Sequence, residues 1–228
     1  MNLRTRPSAL LAAFAVLSLT APAQELGPQK VPGGDAQLGP AAWDQSSPFI
    51  EAGATSSLAV WVDSRTNLSF GSTIGEQTGR DVLATRLDAQ GLPLEATPFV
   101  ISMAYGEQTS AQATWNGSSW LVTWANQTAT PFYYEQQVWG VRVGADGTLL
   151  DPTPFSILAS GFSLVGLDVA SNGSDWLVVA QGDTGGGILG VRVAADGTLV
   201  DTTPKVLVPP TFFLYFDIEL TAGGAATS

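Results

Sequence analysis

The segment Val141–Phe155, VRVGADGTLLDPTPF, recurs downstream as Val191–Lys205, VRVAADGTLVDTTPK, and more loosely upstream as Thr85–Phe99, TRLDAQGLPLEATPF. Each copy begins with alternating apolar and polar residues, which is typical of a strand with one buried face. A glycine turn follows, where glycine takes the positive φ that closes a hairpin. The proline near the end has no N–H to donate and therefore fits an outer edge strand. The segment predicts the outer hairpin of a four-stranded antiparallel sheet.

Two spacings are constant in the three copies. An arginine is followed 12 residues later by a proline, and that proline is followed 19 residues later by the next turn glycine. The three sets are Arg86/Pro98/Gly117, Arg142/Pro154/Gly173 and Arg192/Pro204/Gly223. The distance to the arginine from the preceding strand varies, being 25 residues from Trp61, 18 from Trp124 and 12 from Ala180. A fixed unit that carries one loop of variable length is typical of repeat folds.

These repeats predict an all-β protein made of consecutive four-stranded antiparallel blades of a β-propeller-like array, three blades plus the start of a fourth. The predicted organisation is a signal peptide at 1–23, a Pro/Gly-rich lead-in at 24–46, blades at 47–102, 103–158 and 159–208, and a partial blade at 209–228. Because propellers typically close with four to eight blades, we expect a truncated piece of a longer array. Self-association that completes the ring and an open stack of sheets are the alternatives.

The amino-acid composition excludes several kinds of functional site and disfavours some partners. The 228 residues include no Cys and no His, which removes disulfides, thiol nucleophiles, imidazole bases and the common zinc sites. The net charge of −11 disfavours nucleic acid and anionic membranes as partners. We expect no cofactor, no metal and no catalytic residue.

The N-terminus predicts secretion. Arg4 and Arg6 precede an apolar run, Leu10–Leu19, and Ala21-Pro22-Ala23 offers a small-residue cleavage site. This order is that of a secretory signal peptide, and the run is too short to span a bilayer. We expect an extracellular or cell-surface protein, with the periplasm as the alternative, and no membrane span after the signal is removed.

The blade sequences also resemble a known group. Leu58–Arg65 (LAVWVDSR), Asp81–Leu87 (DVLATRL) and Thr97–Ser102 (TPFVIS) resemble secreted bacterial β-propeller-like repeat proteins, and the likeness extends from Pro48 to about Gly223. It implies an extracellular or surface-associated propeller-like protein and says almost nothing about activity. The third blade departs from the pattern, with Ala180 in place of a tryptophan.

Several residues recur with the unit. Arg86, Arg142 and Arg192 could form a ring of cations for an anionic ligand, but recurrence with the blade favours a structural role, in which each pairs with a neighbouring Asp or stacks on a tryptophan. The other structural repeat positions are Gly91, Gly147 and Gly197 in the turns, and Trp61 and Trp124 in the inner strands. Asp146 and Asp196 are interpreted as turn residues, since each turn offers one carboxylate and calcium needs several oxygen ligands.

A variable loop is predicted over Asn126–Gln137, and Trp139, Tyr133 and Tyr134 lie on or beside it and recur less regularly. They are the candidate ligand-binding residues, as a stacking platform for sugar rings, with plain packing as the alternative.

The sequence therefore predicts a non-catalytic secreted β-repeat module for protein or glycan interaction at the bacterial cell surface. One alternative is a fragment of a carboxylate-dependent polysaccharide hydrolase or lyase, which needs two carboxylates facing a cleft. The sequence pairs none of the candidates Glu51, Glu76, Glu107, Glu135, Asp168 and Asp217. The other alternative is a structural spacer with no ligand.

Overall fold

The computed structural model describes residues 44–64, 79–104, 106–129, 134–160, 164–182 and 187–209. Within these residues every regular element is a β-strand, and the strands form three four-stranded antiparallel sheets. The predicted all-β class and the succession of four-stranded blades are confirmed. The signal peptide, all but the last three residues of the lead-in, and nearly all of the partial fourth blade lie outside the described residues.

The strands are paired in chain order within each sheet. Sheet 1 comprises β1 (Gln45–Ala52), β2 (Ser57–Asp63), β3 (Asp81–Leu87) and β4 (Phe99–Ser102). Sheet 2 comprises β5 (Glu107–Trp115), β6 (Ser119–Ala129), β7 (Tyr134–Gly144) and β8 (Phe155–Ser160). Sheet 3 comprises β9 (Leu164–Ser171), β10 (Trp176–Gly182), β11 (Ile188–Val193) and β12 (Lys205–Val208).

Alternation along the strands gives each sheet two faces. We call the face that packs toward the following sheet the front face, and the opposite one the back face. In β6, Leu121 belongs to the core shared with sheet 3 and lies on the front face, whereas Trp120, Val122 and Trp124 belong to the core shared with sheet 1 and lie on the back face.

The same front-to-back packing makes both cores. Leu58, Val60 and Val62 of β2 pack with the back face of β6. Leu121 packs with Trp176 and Val178 of β10. All six are at most 1% exposed. Burial of such side chains contributes about 1.5–3 kcal/mol each, so neighbouring sheets stabilise one another.

The inner hairpins follow the expected Asn-Gly chemistry. Asn116 Oδ1 accepts hydrogen bonds from the N–H groups of Ser118 and Ser119, each at 3.0 Å. Gly117 has a φ of 100°, in the region that glycine adopts without strain. Asn116 also reaches the next sheet, because its Nδ2 donates to the carbonyl of Ser174 at 2.5 Å.

One predicted boundary was wrong. The sequence placed a loop over Asn126–Gln137, but β6 continues to Ala129 and β7 begins at Tyr134. The backbone ladder persists from Asn126, which pairs with Gln137, to Ala129, which pairs with Tyr134. Backbone hydrogen bonding does not depend on an apolar pattern, so a polar sequence can extend a hairpin whose register is already fixed.

The sheets have two unlike ends. The turn end carries the hairpin turns within each sheet, β1 to β2 and β3 to β4 and their counterparts. The loop end carries the connections from β2 to β3, β6 to β7 and β10 to β11, and the links between sheets. In the part of the chain that the structure describes, no helix has the length and hydropathy needed to cross a membrane.

Candidate functional site

The repeated arginines form an ion pair inside each sheet. Arg86 Nε lies 2.7 Å from Glu95 Oε1, and Arg142 Nη2 lies 2.7 Å from Asp151 Oδ1. In the third sheet Arg192 Nη2 lies 2.9 Å from Asp201 Oδ1. Each acid also accepts the backbone N–H of its own arginine. The carboxylate therefore holds both the backbone and the guanidinium of the third strand.

Two of these arginines also join neighbouring sheets. Arg86 Nη1 donates to the carbonyl oxygen of Ala145 at 3.0 Å, and Arg142 Nη1 donates to that of Ala195 at 2.9 Å. Both acceptors lie in the outer turn of the following sheet, which is the turn between its third and fourth strands. This geometry supports the structural interpretation of the arginines rather than an open ring of cations.

The turn glycines lie against the same guanidinium groups. A Cβ on Gly147 would come within 3.0 Å of Arg86 Nε, and one on Gly197 would come within 3.0 Å of Arg142 Nε. Their φ values are 86° and 88°. Gly91, with a φ of 75°, has no atom within 4 Å of its Cβ position. Glycine is thus favoured at Gly147 and Gly197 both by φ and by the close approach of an arginine, but at Gly91 by φ alone.

These contacts lower the pKa of two of the acids, Glu95 and Asp201. Burial raises the pKa of Glu95, but hydrogen bonds from Arg86 and Thr85 outweigh it, so the pKa is below its ordinary value. The hydrogen bonds from Arg192 hold the pKa of Asp201 far below its usual range, again against burial. Hydrogen bonds that stabilise the charged form shift a carboxyl in this direction.

The turn aspartates accept local hydrogen bonds. Asp146 Oδ1 accepts from the Thr148 N–H at 3.0 Å and from its hydroxyl at 2.6 Å. Asp196 Oδ1 accepts from the Thr198 N–H at 2.9 Å. Hydrogen bonds from the side chains and then the backbone N–H groups of Thr148 and Thr198 lower the pKa of Asp146 and Asp196, respectively. Among the described residues, no three His, Cys, Asp or Glu side chains are grouped as a metal site would require.

The repeated tryptophans Trp61 and Trp124 are buried to different extents. Trp124 is fully buried on the back face of sheet 2. Trp61 is half-buried on the back face of sheet 1, where its Nε1 donates to Asp63 Oδ2 at 3.1 Å. Trp61 therefore resembles Trp124 in register but is not covered to the same extent.

The proposed sugar platform is only partly described. Trp139 lies opposite Trp124 and packs, half-buried, against the core between sheets 1 and 2. Its Nε1 donates to Gln137 Oε1 at 3.0 Å. Tyr134 is the first residue of β7, and Tyr133 lies outside the described residues. The contacts of Trp139 show that part of its ring serves packing.

Side-chain amides at the loop end hold the links between sheets, which the sequence reasoning missed. Gln108 Nε2 donates to the carbonyls of Ala104 at 2.9 Å and Gly106 at 3.0 Å, and to Asn126 Oδ1 at 2.8 Å. Gln108 is fully buried and Asn126 is 6% exposed. Buried amides with several partners fix a loop in one geometry. Only the position of these amides at the strand ends could have indicated the role.

The next link is held in a similar way. Gln136 Oε1 accepts the N–H of Leu164, the first residue of β9, and Gln136 Nε2 donates to Gln127 Oε1 at 3.1 Å. The loop end is therefore anchored by amides from β5, β6 and β7. These hydrogen bonds hold the backbone of the links between sheets in fixed positions.

The candidate carboxylates whose side chains are described, Glu51, Glu107 and Asp168, lie in three different strands. Glu51 lies beside the turn after β1, whereas Glu107 begins β5 at the loop end and pairs with Arg80 at 2.9 Å. Asp168 is in β9, 7% exposed, and its Oδ1 accepts the N–H of Val169 at 2.8 Å. Glu135 is in β7, and Glu76 and Asp217 lie outside the described residues.

Comparison of the sequence with models of known protein families found no match, and comparison with curated proteins found none.

Proposed function

We propose that this protein is a secreted, non-catalytic β-propeller-like repeat module, related to the bacterial surface proteins that its blades resemble, and that its loop end binds a protein or glycan at the cell surface. The observation that carries the proposal is a constant scaffold with unequal loops. The arginine–acid pair recurs in all three sheets, always nine residues apart. The strand connections at the loop end span 17 residues (64–80), 4 residues (130–133) and 5 residues (183–187).

This contrast is what a recognition surface needs. Binding residues are concentrated on loops that a rigid scaffold positions. The buried amides of Gln108 and Gln136 supply that rigidity at the loop end. The lack of His and Cys and the predicted signal peptide are consistent with a binding role outside the cell.

A matched pair of substitutions tests which end binds. Met103, at the loop end, is 46% exposed, and Leu149, in an outer turn, is 43% exposed. Each is changed to Lys, and binding of the purified chain to glycan arrays and to bacterial envelope fractions is compared. We expect Met103→Lys to weaken binding and Leu149→Lys to leave it unchanged. No binding by the unmodified chain to either target, or equal loss in both variants, would contradict the proposal.

Catalysis is tested on the same preparations. Release of new reducing ends from a panel of polysaccharides, abolished by Glu51→Gln or Glu107→Gln, would favour the hydrolase or lyase alternative. We expect no release above a buffer control.

A further inference from the structure

The two outer faces of the three-sheet stack carry complementary halves of the junction that the inner faces use. Each inner junction has three parts: a front-face arginine, the turn carbonyl that accepts from its Nη1, and a turn glycine against the guanidinium. The stack contains this junction twice, between sheets 1 and 2 and between sheets 2 and 3.

Sheet 3 presents the donor half. Arg192 lies opposite Leu177 on the front face, as Arg142 lies opposite Leu121. Its side chain is 58% exposed, against 16% for Arg142 and 22% for Arg86. Asp201 occupies its Nε and Nη2, and Nη1 forms no hydrogen bond within the described residues. The guanidinium is therefore held ready by Asp201 but lacks the carbonyl that its counterparts reach.

Sheet 1 presents the acceptor half. Its outer turn has the backbone bonds of the other two: Gly91 N–H donates to Asp88 O at 3.0 Å, as Gly147 donates to Gly144 and Gly197 to Ala194 at 2.8 Å. Ala89 is therefore the counterpart of Ala145 and Ala195. The space beside Gly91 that an arginine would fill is open, with no atom within 4 Å of the Cβ position.

Apolar side chains surround both halves. On the back face of sheet 1, Ile50 is 59% exposed and Val100 is 42% exposed, and Trp61 between them is half-buried. On the front face of sheet 3, Leu207 is 49% exposed and Leu177 is half-buried. Front-to-back contact is how the sheets already pack, so the two outer faces present the two sides of that contact.

We propose that the front face of sheet 3 binds the back face of sheet 1 of a second copy of this chain, with Arg192 Nη1 donating to the Ala89 carbonyl and the guanidinium lying against Gly91. The contact is head-to-tail, so it joins different surfaces of the two copies and can be repeated. Repetition gives a closed ring if the rotation closes and an open chain of molecules if it does not. Gln90 replaces the turn aspartate of the other sheets, so this junction lacks the charge attraction that Asp146 and Asp196 add.

Three variants of the full chain separate this contact from general effects. Arg192→Lys keeps the charge beside Asp201 but loses the guanidinium fork. Gly91→Asn keeps the turn, since asparagine tolerates positive φ, and fills the space for the arginine. Arg80→Ala is the control, because it removes an exposed arginine whose ion pair with Glu107 joins sheets 1 and 2 at the loop end and so lies on neither outer face.

Sedimentation velocity over a range of concentrations measures the association. We expect the unmodified chain and Arg80→Ala to associate alike, and the other two variants to associate at least about tenfold more weakly, as loss of one charge-assisted hydrogen bond predicts. A mixture of Arg192→Lys and Gly91→Asn retains one intact pair of faces, so it should form dimers and nothing larger. Unfolding curves confirm that each variant is folded. A monomeric unmodified chain, unchanged association in either variant, or a mixture that forms no dimers would overturn the proposal.

Discussion

Arg142 and Ala195 lie in different sheets, yet Arg142 Nη1 donates to the Ala195 carbonyl oxygen at 2.9 Å. The other nitrogens of the guanidinium, Nε and Nη2, bind Asp151 in the same sheet as Arg142. One side chain thus completes a turn of its own sheet and fastens the turn of the next. Since Arg86 does the same one sheet earlier, the stacking is specified by the repeated unit itself.

The first prediction concerns the energy of this arginine. Arg142→Ala should lower the free energy of unfolding by about 2–4 kcal/mol, because Asp151, 13% exposed, loses its charged partner. Arg80→Ala is the control: its pair with Glu107 is 42% and 40% exposed, so we expect a loss of about 1 kcal/mol or less. Denaturant unfolding of both variants measures the difference. Equal losses would show that the repeated pair is no more than a surface ion pair.

The second prediction concerns two glycines with the same φ requirement and different surroundings. Gly91→Ala should cost about 1–2 kcal/mol, because a positive φ strains any residue with a Cβ. Gly147→Ala carries the same strain and also presses a methyl group on Arg86, whose Nε would lie 3.0 Å away. Thermal unfolding should therefore show the lower Tm for Gly147→Ala. A lower Tm for Gly91→Ala would contradict the junction geometry.

Most of the fold could be predicted from the three repeats. Constant spacing between Arg142 and Pro154 and the Asn-Gly turns predicted the hairpins, because turn chemistry and strand alternation are local properties of a sequence. The end of the hairpin around Asn126 was misplaced, since ladder hydrogen bonds extend through polar residues that show no alternation.

The hydrogen-bond partners of the arginines were harder to predict from the sequence. Sequence reasoning expected a neighbouring Asp or a tryptophan, and it did not name Glu95, Asp151 or Asp201. An acid nine residues after each arginine was visible in all three copies. By contrast, the acceptor of Arg142 Nη1 is a backbone carbonyl 53 residues away. No side-chain pattern marks a backbone acceptor, so only the packing of the sheets reveals it.

The third prediction compares two buried indoles. Trp176 Nε1 donates to the Thr114 carbonyl at 2.9 Å, whereas Trp120 Nε1 is buried and has no acceptor among the described residues. Changing either to Phe removes a similar volume, but only Trp176→Phe loses a hydrogen bond between sheets. We expect Trp176→Phe to be less stable than Trp120→Phe by about 1 kcal/mol. Chemical unfolding measures this, and the reverse order would show that cavity size outweighs the bond.

The fourth prediction concerns acid. The pKa of Glu95 is lowered in the folded protein, so its ion pair contributes stability above the unfolded-state pKa, near 4.5, and loses it as the pH falls through the folded value. Glu95→Gln should therefore be less stable than the unmodified chain at neutral pH, and the difference should shrink in acid. Unfolding free energies measured across this pH range test it. A difference that does not vary with pH would assign the effect to packing.

The fifth prediction also concerns pH, but here the substitution is expected to raise the free energy of unfolding at neutral pH. Burial raises the pKa of Glu51, and a hydrogen bond from the Trp115 N–H opposes the shift only in part. A raised folded-state pKa means that stability is fully present below the unfolded-state value and declines as the pH rises through the folded one. Glu51→Gln keeps an oxygen that can accept from Trp115 and removes the buried charge. We therefore expect this variant to be more stable than the unmodified chain at neutral pH and to match it in acid, in the same titration of unfolding free energy that serves Glu95→Gln. A loss of stability at neutral pH would mean that the charged form of Glu51 is favoured by the contact between β1 and β5, and that the hydrogen bond to Trp115 outweighs burial.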